Sequence, residues 1–306
     1  MKIVIMGAGA VGGYFGARLA HAGLDVHFIA RGAHLEAIRT NGLQIRSANG
    51  DMRLHPAQAT DQPETIGIAD YVFITPKLWS LTEAADAIEP VVGPDTAIIS
   101  FQNGVDAEPY LAERFGANRV LGGVSGIAAV IAQPGVIEHT GAFAELAFGE
   151  MNAEKTERVH ALETACRSAG FSVRVPESIN TAIWQKFLML VAFSGLTAVS
   201  GERAGRLRDD EDARTLLTTV ADEVAQVGRA KGVEIPEDAS QVALGFLDNM
   251  PDSTTSSLAN DLARGNRLET TWLQGTVVRF GRELGIPTPA TLALYLGLKY
   301  RADGTP

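Results

Sequence analysis

Along the first half of the chain, apolar and polar positions fall into blocks that switch between strand-like and helix-like periods. Residues 3–6 form the short apolar run expected of a strand covered on both faces. Residues 10–22 follow as a helix, with Val11, Tyr14, Phe15 and Leu19 at helical spacing. A second strand, rich in Val, Phe and Ile, is predicted over 25–30, and a helix near 33–39. Asn49-Gly50-Asp51, set between 43–46 and 52–55, predicts a hairpin. Strands over 71–75 and 96–100 each follow an acidic turn, at Asp70 and Asp95, and helices are expected over 81–88 and 107–115. Residues 120–148 read as β-rich, punctuated by glycines and a Gln133-Pro134-Gly135 turn, before a helix over 154–169 and a strand over 171–175. Such alternation predicts an α/β Rossmann domain, a mostly parallel sheet with helices on both faces.

Beyond Pro176 the period changes. Residues 179–199, 212–231, 239–249, 258–284 and 291–300 all read as helices, with Gly or Pro at the breaks. Gly232 and Gly285, each followed closely by a proline (Pro236 and Pro287), have the look of helix C-caps. The expected organisation is therefore a dinucleotide-binding domain over 1–177 and an all-α substrate or catalytic domain over 178–306. A length of 306 residues agrees with two cores rather than one.

Composition narrows the function classes. A formal net charge of −10 argues against broad attraction to nucleic acid or anionic lipid, although it leaves room for a local basic pocket. The one cysteine, Cys166, can form no internal disulfide, which fits a reducing, cytoplasmic setting; its place in a helical stretch reads as a buried small residue. The N-terminal apolar run is cut short at Gly7, and a signal-peptide core needs roughly 7–15 apolar residues. The longest apolar run, 187–193, falls short of the ~20 residues of a membrane span. The six histidines are scattered without metal-ligand spacing, and no metal site is expected.

Gly7-Ala8-Gly9-Ala10-Val11-Gly12 is a G-x-G-x-x-G between a predicted strand and an amphipathic helix, with a second strand ending about twenty residues on. The first glycine permits a tight turn, Gly9 lets backbone approach a pyrophosphate, and Gly12 allows close packing of helix on strand. The helix N-terminus offers free N–H groups and the positive end of its dipole. An NAD enzyme usually carries Asp or Glu at the end of the second strand. Here that strand ends Phe28-Ile29-Ala30-Arg31-Gly32, and Glu36 lies in the following helix, out of easy reach of the acid's role. Arg31 either pairs with a 2′-phosphate, which would select NADP(H), or solvates a helix start.

Four further positions have chemical as well as bland readings. Lys77 and the Asn103-Gly104 pair follow strand ends, where loops line the ligand crevice of such sheets. Lys77 faces a phosphate or is a solvated loop lysine, and Asn103 bonds a nicotinamide or substrate or belongs to a plain turn. Lys186 is the one formal charge between Glu177 and Glu202. It either snorkels to water or sits in a pocket, where partial desolvation suits a lysine to donate a proton. Glu269, on pattern alone, is a solvated helix carboxylate.

The order and spacing of these features resemble the ketopantoate reductase (2-dehydropantoate 2-reductase) family over nearly the whole chain. The resemblance rests on the glycine motif, Arg31, Lys77, Asn103-Gly104, Trp-x-Lys at Trp184 and Lys186, Leu196-Thr197-Ala198, Ser256-Ser257, and Glu269 ahead of Gly285-Ile286-Pro287. It implies hydride transfer from NADPH to the C2 carbonyl of a 2-oxo acid, with Lys186 as general acid and stabiliser of the developing alkoxide. By the same resemblance Glu269 orients the substrate's hydroxyl end, Ser257 binds its carboxylate, and Asn103 stands at the nicotinamide–substrate junction. Arg31 and Lys77 serve the cofactor phosphate, and Leu190 and Ser194 belong to the substrate site.

Family members acting on ketopantoate typically carry Asn four and eight residues after the lysine and three before the serine, where this chain has Leu190, Ser194 and Thr254. A leucine leaves a buried substrate oxygen unpaired, at a cost of about 1–3 kcal/mol. The expected pocket is therefore more apolar, and a more apolar 2-oxo acid or an imine is the alternative substrate. A non-catalytic NADPH sensor is the alternative of another class, and the retained spacing of Lys186 and Glu269 argues against it. The partners implied are a small 2-oxo acid and, through long apolar helices of the second domain, a homodimer.

Overall fold

The computed structural model describes residues 1–305. The chain divides into two compact units, one of residues Met1–Gln102 and Asp106–Ile179, the other of Asn103–Val105 and Asn180–Pro306.

In the first unit β1 (Lys2–Met6), α1 (Ala10–His21), β2 (Asp25–Ile29) and α2 (Gly32–Asn41) lead into β3 (Leu43–Ser47), β4 (Met52–Leu54) and β5 (Gln58–Thr60). β6 (Tyr71–Ile74), α3 (Leu81–Ile88), β7 (Ala97–Ser100) and α4 (Ala107–Phe115) follow, then the long β8 (Val120–Gln133) and β9 (Val136–Glu150), α5 (Glu157–Ser168) and β10 (Ser172–Arg174). The strands make one sheet in the order β4-β3-β9-β8-β7-β6-β1-β2-β5, with β10 added beside β9. Its pairings are parallel except β3 with β4 and β8 with β9. Every residue of β6 and β7 is buried, as an unbroken apolar run in a doubly covered parallel strand must be. Phe15 and Leu19 of α1 share a core with Ile3, Ile5, Phe28 and Phe73.

The expected hairpin is present as β3–β4, with Leu43 opposite Leu54 and Gly50 at φ +99 in its turn. Strand β5 has no counterpart in the sequence reading. Its three residues are half-polar, and it exists as an edge parallel to β2. Cys166 is fully buried in α5, and burial pushes its thiol pKa up to about 12.

The second unit holds α6 (Ile179–Met189), a π-helical turn over Leu190–Ser194, α7 (Gly195–Ser200), α8 (Ala204–Arg208), α9 (Glu211–Ala230), α10 (Ala239–Asn249), α11 (Ser257–Ala263), α12 (Gln274–Leu284) and α13 (Pro289–Lys299). Long α9 starts with Asp210 capping the Ala213 N–H at 2.9 Å and buries Leu217, Val220, Val224 and Val227 along one stripe. It packs against α10, α12, α13 and the π-helical turn. Its buried Glu223 accepts from the Ala290 and Thr291 N–H groups, each at 2.8 Å, and from Thr291 Oγ1 at 2.6 Å. A carboxylate on free N–H groups at a helix start satisfies donors that have no partner inside α13.

Two expectations are corrected. The helix predicted over 258–284 is broken, because α11 ends at Ala263 and Gly265 turns the chain at φ +70. Leu268 N–H then bonds Ala302 O at 2.8 Å, and the Leu268 side chain buries with Ala198, Leu258 and Leu298. Secondly, the helix predicted over 179–199 is present and runs as Ile179–Ser200, 22 residues, so the count of uninterrupted apolar residues understated the longest apolar stretch. By length and composition it is the one helix among the described residues able to cross a membrane, yet 72% of its apolar window is buried inside the protein.

Candidate functional site

Where β1 ends, the chain turns at Gly7 with φ +93, and a side-chain carbon there would lie 3.0 Å from Pro76 Cδ. The N–H groups of Gly7 and Ala8 both reach Ile29 O, at 3.1 and 3.3 Å, tying the loop to the end of β2. Thr75 Oγ1 donates to Gly7 O at 2.6 Å and ties it to the end of β6 as well. At Gly12 a Cβ would overlap Gly7 O and Thr75 Oγ1 and lie 2.7 Å from Ile5 Cγ2, so the helix lies directly on the loop backbone and on the side chains of Thr75 and Ile5. Gly9 is the opposite case: a Cβ there would meet nothing within 4 Å. Gly9 caps α1, whose first turn, with Ala10 and Val11 half-buried, carries no acidic side chain. This bare helix start facing open space fits a pyrophosphate.

A cleft of about 250 Å³ opens over this loop, with Gly7, Gly9, Ala30, Arg31, His34 and Glu83 among its lining residues. Arg31 caps α2 and places Nη1 2.5 Å from Glu83 Oε1, on α3. His34 Nδ1 accepts from the Gly135 N–H at 3.1 Å. Nε2 therefore carries the ring proton and donates to Ala8 O at 2.8 Å. His34 thus braces the phosphate loop against the turn between β8 and β9. Neither His34 nor Glu83 was singled out in the sequence, where a lone histidine and a helix carboxylate carry no distinguishing signal.

Lys77 is half-buried at the start of a short 3₁₀ turn, with Nζ 5.8 Å from the centre of the Trp79 ring. Its neighbours Pro76 and Ser80 line the cleft; Lys77 itself is not on that wall. Buried Gln102 donates to Pro76 O at 2.8 Å, linking the exits of β6 and β7. Asn103, half-buried, comes next and groups with the helical unit, ahead of Gly104, whose φ of +118 excludes other residues.

In the helical unit Lys186 is half-buried near the end of α6. Trp184, the other half of Trp-x-Lys, is a packing residue with its ring edge-on to Phe187 at 5.5 Å. The π-helical turn begins at half-buried Leu190 and ends at buried Ser194. Such turns interrupt the regular hydrogen-bond ladder and re-aim the flanking helix. Fully buried Gln274 of α12 holds this one, with Nε2 donating to Val191 O at 2.9 Å and to Ser194 Oγ at 3.2 Å. Gln274 Oε1 accepts from Thr270 Oγ1 at 3.0 Å, and Thr270 follows Glu269.

Glu269 is itself buried, in a 3₁₀ turn, which corrects its reading as a solvated helix carboxylate. A polar chain thus runs from the turn after Lys186 to the residue beside Glu269, and Gln274, its middle member, was invisible to motif reading. Of the serine pair, Ser256 is spent on structure. It caps α11 by accepting from the Ala259 N–H at 3.0 Å, and its hydroxyl lies 2.8 Å from Thr197 Oγ1. Ser257 is exposed at the first position of α11. Among the described residues no three His, Cys, Asp or Glu side chains gather as metal ligands would.

Residues 3–153 match the family described as ketopantoate reductase PanE/ApbA, and residues 178–301 match ketopantoate reductase PanE/ApbA C terminal. The 2-dehydropantoate 2-reductase of Mesorhizobium japonicum is 35% identical over 318 residues that cover 96% of each chain. The crystal structure of a PanE/ApbA family ketopantoate reductase from Ralstonia eutropha JMP134 superposes with a TM-score of 0.89 at 33% identity, covering 99% of this chain and 98% of that one. For the 2-dehydropantoate 2-reductase of Geobacter metallireducens the TM-score is 0.90 at 32% identity, over 98% and 99%. Likeness at this level through both units confirms the family reading of the sequence: the chain belongs to the ketopantoate reductase family.

Proposed function

We propose that this protein is an NADPH-dependent reductase that converts the C2 carbonyl of a 2-oxo acid to a 2-hydroxy acid, with ketopantoate as substrate and pantoate as product. The observation that carries the reading is the glycine cradle with Arg31 at its side, in a chain whose two halves both match the family. NADPH, when bound, supplies the hydride. The backbone around Gly7, Ala8, Gly9, Ala10, Val11 and Gly12 receives its pyrophosphate, Arg31 serves the 2′-phosphate, and Lys77 serves the cofactor phosphates from the exit of β6, away from the Arg31 wall.

Reduction of a carbonyl requires a proton for its oxygen as the hydride reaches carbon. Lys186 holds that proton on Nζ, and its charge stabilises the oxygen as negative charge develops there. Its half-burial near an otherwise apolar helix end supports this role, since a cation partly removed from water acts more strongly on a nearby oxyanion. Glu269, held on a buried turn, accepts from the substrate's hydroxyl end and orients it. Ser257 binds the substrate carboxylate, Asn103 stands at the nicotinamide end, and Leu190 and Ser194 shape the pocket wall. A cytoplasmic setting and a homodimer belong to the same proposal. The lone, buried Cys166 supports the first, and exposed Val242 and Phe246 on α10 support the second.

A second reading, reduction of a more apolar 2-oxo acid, is favoured by Leu190, half-buried on the π-helical turn where ketopantoate-acting members carry Asn. The deciding experiment follows NADPH oxidation with ketopantoate and a panel of apolar 2-oxo acids. In the Lys186→Ala variant kcat is expected to fall about 10²–10⁴-fold while NADPH binding is retained. Turnover confined to an apolar acid moves the assignment to the second reading, and NADPH binding without any turnover makes the chain a sensor.

A further inference from the structure

The adenosine side of the cleft carries one cation and one anion, and they are bonded to each other. Arg31 Nη1 lies 2.5 Å from Glu83 Oε1, with the two side chains 55% and 61% exposed. His34, the third titratable residue of that wall, has both ring nitrogens engaged, with Ala8 O and the Gly135 N–H. What meets the ribose 2′ position is therefore decided between Arg31 and Glu83.

The end of β2 has no acid, and this absence is what makes the strand end look selective for NADP(H). Glu83 restores a carboxylate to the same wall from a different element. It is the third residue of α3, where the helix dipole favours its charge whether or not Arg31 is beside it. A 2′-phosphate approaching Arg31 must therefore displace a carboxylate that stays close by. A 2′-hydroxyl instead finds in Glu83 an acceptor already held in place. An ion pair this exposed is easily parted, so both arrangements are accessible.

We propose that Glu83 is a cofactor-specificity residue: it accepts from the ribose 2′-hydroxyl of NAD(H) and competes with the 2′-phosphate of NADP(H) for Arg31, so that the protein binds both cofactors. The inference rests on the reading of this cleft as a nicotinamide dinucleotide site and adds to it a second cofactor and the residue that sets the balance.

The test is equilibrium binding to the full chain, by nicotinamide fluorescence for NADPH and NADH and by calorimetry for adenosine 2′,5′-bisphosphate, which probes the 2′-phosphate subsite without the nicotinamide. Glu83→Ala is expected to tighten NADPH and the bisphosphate about two- to fivefold and to weaken NADH by a similar factor, the range an exposed charge pair commands. The preference between cofactors then shifts about tenfold. Glu83→Gln keeps an acceptor and removes the charge, so it tightens NADPH and leaves NADH closer to wild type. A merely structural role moves both cofactors in one direction, and that result, or unchanged affinities in both variants, overturns the proposal. If wild type binds neither cofactor nor the bisphosphate, the dinucleotide reading falls first and this inference falls with it.

Discussion

Gln274→Leu is the substitution that best separates the architecture of the helical unit from the cofactor cleft. The wild-type amide is fully buried and makes three hydrogen bonds, to Val191 O, Ser194 Oγ and Thr270 Oγ1. At about 1 kcal/mol net for each, their loss would cost about 3 kcal/mol. Two effects reduce that figure. Val191 O keeps the Gly195 N–H, and the Ser194 and Thr270 hydroxyls can turn toward carbonyls of their own helical turns. Leucine also adds apolar burial at nearly the same volume. The expected loss of stability is therefore about 1–3 kcal/mol.

The kinetic consequence follows from where the bonds lie. They fasten the turn after Lys186 to the residue beside Glu269, so releasing them lets the proposed proton donor and substrate-orienting carboxylate drift apart. Misplacement on the scale of 1 Å costs about 100-fold in rate, and partial loosening is expected to lower kcat about tenfold or more. NADPH affinity should be unchanged, because every residue lining the cleft belongs to the other unit. Urea unfolding followed by tryptophan fluorescence reads the first quantity, with Trp184 and Trp272 reporting on the helical unit. Steady-state turnover and NADPH titration read the others. A stability change below about 0.5 kcal/mol with kcat unaltered would refute the reasoning, since a substitution at a bonded, buried amide would then behave like one at the surface.

Three further outcomes are expected. Gly12→Ala puts a Cβ onto Gly7 O and Thr75 Oγ1, so NADPH binding should be abolished and Tm lowered; retention of wild-type affinity would mean that the loop relaxes freely. Glu150 is buried, which by itself raises its pKa, but hydrogen bonds from Arg158 and Thr156 and the Arg158 charge outweigh burial and hold it below 4.5. A depressed folded value means the pair stabilises the protein fully above that pH and less as pH falls through the lowered value. Glu150→Gln should thus lose about 1–3 kcal/mol at neutral pH and show a shallower acid decline in unfolding free energy; parallel pH profiles would contradict this. Leu190→Asn should shift the kcat/KM ratio from apolar 2-oxo acids toward ketopantoate by about ten- to hundredfold, and an unchanged ratio would remove Leu190 from the substrate wall.

The parts of this fold that were legible in the sequence are those decided within one turn or one strand. β6 and β7 could be read because four consecutive buried residues leave an unbroken apolar run, and β3–β4 because Asn49-Gly50-Asp51 supplies turn residues at the right distance. The glycine cradle was readable because its glycines keep a fixed spacing between β1 and α1, even though Thr75 and Pro76 add steric demands from the end of β6. What stayed hidden depends on distant pairs. Glu83 lies 52 residues from Arg31, His34 is 101 from Gly135, and Gln274 is 83 from Val191. No local period encodes such pairings, and Glu83, His34 and Gln274 taken singly are ordinary helix residues.

Glu269 shows what that hidden layer does for chemistry. Its local pattern is that of a solvated carboxylate on a helix continuing from residue 258 to 284, and in that setting water would screen its charge and the side chain would be free to turn. Gly265 and the bond from Leu268 to Ala302 O interrupt the helix instead, and the chain re-enters the core at Glu269. A carboxylate on a short buried turn is aimed by the backbone, and its interactions gain strength from the lower dielectric. The break that hydrophobic periodicity conceals is therefore what suits this glutamate to the substrate-orienting role proposed for it.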